Sequence, residues 1–225
     1  MTLSTILRWA TVLFILPVHA ISAVTEVRSD GVRNDSVKQI KITYTGGVTQ
    51  EQIMDLMETL DKVNLNYPSA QKITLYLNSG GGNMDSGYMG YNAIKNSRIP
   101  VTTVNAALVG SSASLLFCAG AERQALPAAY FILHPASATI YGAQELKPDA
   151  LNLLSSTLSH YNDIFKMVYQ TCTHLSEADI RDMLSAENKR KDYSAEQAKA
   201  EGLIHDITFR ISPSDVSYFI RPDKK

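Results

Sequence analysis

The sequence predicts an α/β fold in which strands alternate with crossover helices. Three observations carry that prediction. Apolar segments of two kinds follow one another: short β-rich runs such as residues 73–77, and longer runs of helical period such as residues 53–63. The short runs are nearly continuous in apolar residues, the pattern of strands buried on both faces of a parallel sheet. Finally, 225 residues at 45% apolar and 19% charged make an ordinary globular chain, long enough to bury a core without staples.

The first 23 residues stand apart from that fold. They hold one charge, Arg8, then a ten-residue apolar stretch over 9–18, then small residues up to Ala23. A basic start, a short apolar run and a small-residue end predict a secretory signal peptide, cleaved after Ala23 or, second, after Ala20. An uncleaved membrane anchor is the alternative, although the run falls short of the roughly 20 residues a spanning helix needs. The protein is therefore expected to be exported, periplasmic or secreted, with residues 24–225 as one domain.

Within that domain, residues 37–45 alternate and predict a strand. Gly46-Gly47 turns the chain, and Thr49 with Gln52 predicts a capping box for a helix carrying Ile53, Leu56, Met57, Leu60 and Val63 on one face. The second strand, 73–77, runs into Asn78-Ser79-Gly80-Gly81-Gly82, and a helix follows through Tyr88, Met89, Tyr91 and Ile94. Residues 99–104 predict a third strand, 111–119 a short apolar helix ended by Gly120, and 129–133 a fourth strand. Residues 148–171 form one long helical pattern opening on Pro148, with Leu151, Leu154, Leu158, Tyr161, Phe165 and Val168 spaced 3, 4, 3, 4, 3. Such a heptad-like seam suits packing against a partner helix. Ser176 with Asp179, and Ser194 with Gln197, predict two short helices, the second closed by Gly202, before a final strand over 203–209.

Composition narrows the function. Twenty-one Lys and Arg against 22 Asp and Glu give a net charge of −1, and no basic stripe marks a nucleic-acid partner. Lys189-Arg190-Lys191 is flanked by Glu187 and Asp192 and reads as a solvated loop. His19, His134, His160, His174 and His205 show no ligand spacing, so neither a metal nor a cofactor is expected. Cys118 and Cys172 are too far apart for a CxxC redox motif. In an oxidising compartment they could pair; otherwise they are two buried small hydrophobes.

Three features carry chemistry when taken together. Consecutive glycines at 80–82 let the backbone turn sharply and leave its N–H groups open, as an oxyanion hole requires; alone they mark only a turn. Ser111 opens a helix, where the positive field favours an oxyanion; alone it could be a simple N-cap. His134, placed after a strand, can act as general base; alone it could be a structural histidine.

These segments resemble one family in order and register. Leu75-Tyr-Leu-Asn-Ser-Gly-Gly-Gly82 resembles its "LYINSPGG" segment, with Gly80 where proline is usual. Ser111-Ser-Ala-Ser-Leu-Leu-Phe-Cys-Ala-Gly120, leading to Ala125-Leu126-Pro127, resembles its nucleophile helix and "ALP" turn. Phe131-Ile-Leu-His-Pro135 resembles "MIHQP" without the glutamine, and Ser194-Ala-Glu-Gln-Ala198 with Gly202-Leu-Ile204 resembles "SAEEA…GLID". The family is the Clp protease proteolytic subunit, a self-compartmentalised serine peptidase of the ClpP/crotonase fold, and the matches span about residues 37–208.

The resemblance implies a spiral of β-β-α units with a protruding handle helix over 148–171, and a homo-oligomeric ring. It assigns the nucleophile to Ser111, the general base to His134 and the oxyanion-hole N–H groups to Gly82 and Ser112. The triad acid is where the pattern fails: counted back from Ser194, its position holds Arg190. Asp192 is the favoured replacement, with Asn188 and Glu187 as alternatives. The segment after His134, Pro135-Ala-Ser-Ala-Thr-Ile-Tyr-Gly142, lacks the glycine pair that helps the family bind extended peptide. The implied substrate is a peptide or unfolded protein, without an ATPase partner if the protein is exported. The alternatives are a catalytically impaired assembly or binding protein and, on the same fold, an acyl-CoA hydrolase.

Overall fold

The computed structural model describes residues 24–139 and 147–222, so the signal peptide expected over 1–23 and residues 140–142 of the segment after His134 lie outside the described part. The architecture is mixed α/β. Strands β1 (Val24–Arg28), β2 (Gln39–Thr45), β3 (Lys72–Ser79), β4 (Val101–Gly110), β5 (Glu122–Ala125), β8 (Asp206–Ile207) and β9 (Val216–Ile220) form one path in the order β1-β9-β2-β3-β4-β5-β8. All its pairings are parallel except β1 with β9. Strand β6 (Tyr130–Leu133) leaves that path: it pairs parallel with the end of β4 and antiparallel with β7 (Lys191–Ser194).

The fork depends on β4. Its first half, from Thr102 to Asn105, pairs with β5, and its second half, from Leu108 to Gly110, pairs with β6. Asn105 sits at the branch, fully buried, and its amide satisfies the backbone that the split would leave bare. Nδ2 donates to the Tyr130 carbonyl at 2.8 Å, while Oδ1 accepts from Ala107 N–H at 3.1 Å. On the other side the register jumps from Leu77↔Asn105 to Ser79↔Val109, so β4 bulges by two residues against β3. That bulge bends β4 out of the main sheet and carries its C-terminal end toward β6.

Helices α1 (Gln50–Asn66) and α2 (Met84–Lys95) are crossovers, α3 (Ala113–Cys118) is fully buried, and α4 (Pro148–Cys172) is the long helix. Helices α5 (Glu177–Met183) and α6 (Ala195–Ala200) follow, with a 3₁₀ turn at Glu187–Lys189 where the sequence suggests only a loop. The core inserts Ile53, Leu56, Leu60 and Val63 of α1 and the α4 residues Phe165, Val168, Tyr169 and Cys172 beside the strands. Only the C-terminal part of α4 contributes buried residues. Leu151 and Leu153 stand 48% and 71% exposed, while Leu154, Leu158 and Tyr161 of the seam are half-buried, so the first half of the helix is only partly covered.

Several expectations change in detail. The Thr49 capping box is half formed. Thr49 Oγ1 accepts from Gln52 N–H, but the Gln52 amide donates to the Thr45 carbonyl and ties α1 back to β2. Ser194 and Gln197 form the complete reciprocal pair. The strand expected over 203–209 shrinks to two residues, because Leu203 and Ile204 belong to the buried turn closing α6, and it is not the last, since β9 follows. Cys118 and Cys172 are not separate hydrophobes: they form a disulfide, with Cα atoms 5.5 Å apart.

Candidate active site

The parallel strands β3, β4 and β6 end at one edge of the sheet, the edge at which open α/β sheets bind ligands. Ser79 pairs with Val109, and Gly110 with Ile132. The glycine loop, Ser111 and His134 are therefore the next residues along three adjacent strand ends. The register alone brings the three segments together.

Ser111 holds φ at +52°, the only positive φ outside glycine among the described residues. A left-handed non-glycine residue costs roughly 1–2 kcal/mol, so surrounding bonds must fix it. Its N–H donates to the Ile132 carbonyl at 3.1 Å. Its carbonyl accepts from Ser114 N–H at 2.9 Å and from Ser114 Oγ at 2.6 Å. The N-cap of α3 is Ser112, not Ser111, and no side chain caps this helix. The Ser111 hydroxyl is thus not spent as a cap. A strained strand-to-helix turn of this kind stands a nucleophile clear of the sheet.

The glycines face that turn. At Gly81, with φ +100°, an added Cβ would lie 2.5 Å from Ser111 Cβ and 2.8 Å from the Gly110 carbonyl. At Gly82 it would lie 2.4 Å from the Val48 carbonyl. Gly80 is different: an added Cβ there meets only Leu108 Cδ2, at 3.8 Å, so the site leaves room for the side chain that this chain lacks. Val48 makes a parallel bridge across Gly82, donating to Gly81 O and accepting from Asn83 N–H. In such a bridge the N–H of the central residue points away from the partner strand. Among the described residues, the N–H groups of Gly82 and Ser112 donate to no backbone or side-chain acceptor. The Ser112 hydroxyl is buried without a hydrogen-bond partner.

His134 follows β6, its side chain 19% exposed, and its Nδ1 is buried without a hydrogen bond. Three acid positions were in contention. Asn188 lies in the 3₁₀ turn and is exposed. Glu187 Oε2 lies 3.5 Å from His134 Nδ1, an ion-pair distance without hydrogen-bond geometry, on a side chain that is 61% exposed. Asp192 pairs with Ile132 across the antiparallel β6–β7 ladder. Side chains alternate with period two, so Asp192 and Ile132 share one sheet face, and the same alternation carried one residue past the end of β6 would put His134 there too. Moving the acid from position 190 to 192 is a step of two, which that alternation would preserve. Asp192 Oδ1 is buried and also lacks a hydrogen-bond partner. Two buried polar atoms without a hydrogen bond, Asp192 Oδ1 and His134 Nδ1, thus lie on β7 and just past the end of the neighbouring β6.

Arg190 stands between the two carboxylates. It donates through Nε to Asp192 Oδ2 at 3.2 Å and through Nη1 to Glu187 Oε1 at 3.3 Å. The Glu187 bond and then the Asp192 charge hold its guanidinium above the ordinary arginine value.

Two supports lie outside the sequence motifs. Tyr169 on α4 is fully buried and lies 2.7 Å from Ser114 Oγ. Because Ser114 donates to the Ser111 carbonyl, the phenol donates to Ser114. Burial pushes that phenol well above the usual tyrosine value. Three residues on, Cys172 is bonded to Cys118 of α3. Only burial signals Tyr169 in the sequence, through the α4 seam that carries Phe165 and Val168. Among the described residues no group of three His, Cys, Asp or Glu side chains is placed to hold a metal.

The chain is similar to known proteins over most of its length. The Clp protease family profile matches residues 25–210. The ATP-dependent Clp protease proteolytic subunit 3 of Rhizobium meliloti (strain 1021) is 28% identical over 180 residues, covering 78% of this chain and 86% of the relative. The corresponding subunit of Dehalococcoides mccartyi (strain CBDB1) is 27% identical over 202 residues, covering 86% and 96%. A solved structure of a ClpP1 mutant from Listeria monocytogenes superposes with a TM-score of 0.63 at 18% identity, covering 76% of this chain and 91% of that one.

Proposed function

Since the chain belongs to the Clp protease family, we propose that it is a serine endopeptidase acting through Ser111, His134 and Asp192 on peptides or unfolded proteins. The observation that carries this reading is Ser111 on its positive-φ turn, one residue past the β4–β6 pair that also delivers His134. Ser111 Oγ attacks the scissile carbonyl while His134 accepts its proton, and the Asp192 carboxylate stabilises the imidazolium. The tetrahedral oxyanion lies between the N–H groups of Gly82 and Ser112. Losing one such donor costs on the order of 10²–10³ in rate. His134 then protonates the leaving amine, and water hydrolyses the acyl-enzyme.

The disulfide supports export, because such bonds persist in oxidising compartments. An exported protein meets no ATP-driven unfoldase, so the substrate is a peptide or a chain already unfolded. The exposed Leu151 and Leu153 and the half-covered seam of α4 support a homo-oligomer formed through that helix.

Fluorophosphonate labelling read by intact mass tests the proposal. One adduct on the wild type and none on Ser111→Ala is expected. No adduct on a correctly assembled wild type would overturn it, in favour of a catalytically impaired assembly protein. The hold of Arg190 on Asp192 is the observation that favours that second reading.

A further inference from the structure

Asn162 lies midway along α4, half-buried, and uses both ends of its amide. Oδ1 accepts from Ala136 N–H at 2.7 Å, and Nδ2 donates to the Leu184 carbonyl at 3.3 Å. One partner must receive a proton and the other must supply one, so a single amide orientation satisfies both. Ala136 is two residues beyond His134. Leu184 is the C-cap of α5, the start of the stretch that runs through Glu187 and Arg190 to Asp192. One side chain therefore ties the histidine segment, the long helix and the beginning of the acid loop together.

Apart from the packing of Ala136 against the core, the Ala136–Asn162 bond is what holds the histidine segment among the described residues. β6 ends at Leu133, and Pro135 has no N–H to donate. Among the described residues, the bond from Ala136 to Asn162 is the only hydrogen bond made by residues 135–139.

We infer that Asn162 is a positioning residue that fixes the His134 imidazole between Ser111 and the acid loop. The inference rests on the serine-peptidase reading for its catalytic consequence, but the clamp itself can be measured without it. A displacement of about 1 Å in a catalytic group can cost on the order of 10²-fold in rate, so Asn162→Ala should lower kcat by about that factor and leave KM nearly unchanged. Asn162→Asp keeps an oxygen for Ala136 N–H, the shorter of the two bonds, but loses the donor to the Leu184 carbonyl, and should recover most of the loss that comes from freeing the histidine segment. Its added carboxylate favours imidazolium, so the acid limb of its pH–rate profile should move to higher pH.

Amide hydrogen exchange at Ala136, with fluorophosphonate labelling rates and hydrolysis of a fluorogenic peptide, decides the matter. The expected result is exchange at least tenfold faster in Asn162→Ala, near-normal exchange in Asn162→Asp, and the kinetic pattern above. Repeating the exchange in a Ser111→Ala background keeps that readout independent of catalysis. Unchanged exchange in Asn162→Ala would overturn the clamp whether or not the enzyme is active. Accelerated exchange with kcat within twofold of wild type, or equal impairment of the Ala and Asp variants at equal melting temperature, would overturn the positioning role.

Discussion

The two sides of the candidate site are built differently. On the nucleophile side, Ser111 is fixed by a backbone bond to Ile132, by Ser114, by a fully buried tyrosine behind Ser114 and by a disulfide beneath α3. On the acid side, Asp192 and Glu187 are held by Arg190, which is 46% exposed. Buried hydrogen bonds hold a strained backbone in place, whereas exposed ion pairs contribute about 0–1 kcal/mol and weaken with salt. The strain at Ser111 therefore goes with the rigid half, while the proposed acid side rests on exposed ion pairs.

Substituting the acids breaks the comparison most sharply. If Asp192 is the triad acid, Asp192→Asn should lower kcat by about 10²- to 10⁴-fold, and Glu187→Gln should leave it within roughly threefold. The reverse ranking would assign the role to Glu187 and make the shared face of Asp192 irrelevant. Kinetics on one fluorogenic peptide at two salt concentrations would check both this ranking and the salt sensitivity expected of the exposed side.

The disulfide gives the next largest effect. It closes a separation of 54 residues, for which the chain-entropy account gives about 4 kcal/mol. Cys118→Ala with Cys172→Ala should then lower the melting temperature by roughly 8–16 °C, and reduced wild type should behave alike. Ser111 labelling below the transition should slow as well, because α3 and α4 lose their covalent tie. A loss of stability with labelling unchanged would mean that the staple stabilises the domain without positioning the nucleophile.

How legible each side was in the sequence follows the same division. The glycine loop, Ser111 and His134 are readable because backbone chemistry restricts them. An added Cβ at Gly81 would collide with Ser111, and only a tight turn carries the chain from β4 into α3. The helices were readable through period and caps. The acid is less so: position 190 holds arginine, which leaves Asp192 favoured beside Asn188 and Glu187, and the pairing of β7 with β6 that supports Asp192 has no local signal. Strand β7 reads as the lead-in to a helix, and β1, β5 and β9 are short segments whose partners are distant in sequence. The fork at Asn105 is invisible for the same reason: one asparagine in an apolar run gives no hint that it satisfies two diverging strands.

The smallest effect isolates backbone from side chain on the rigid side. Ser112 is fully buried, and its hydroxyl has no hydrogen-bond partner, a situation that costs about 1–3 kcal/mol for a buried polar group. Its N–H, not its hydroxyl, is the group assigned to the oxyanion. Ser112→Ala keeps the N–H and removes the orphan. It should raise the melting temperature by roughly 2–4 °C for each kcal/mol recovered and leave the fluorophosphonate labelling rate unchanged. If labelling instead fell tenfold or more, the Ser112 hydroxyl would be a working part of the site, and the rigid half would owe its function to a side chain as well as to its backbone.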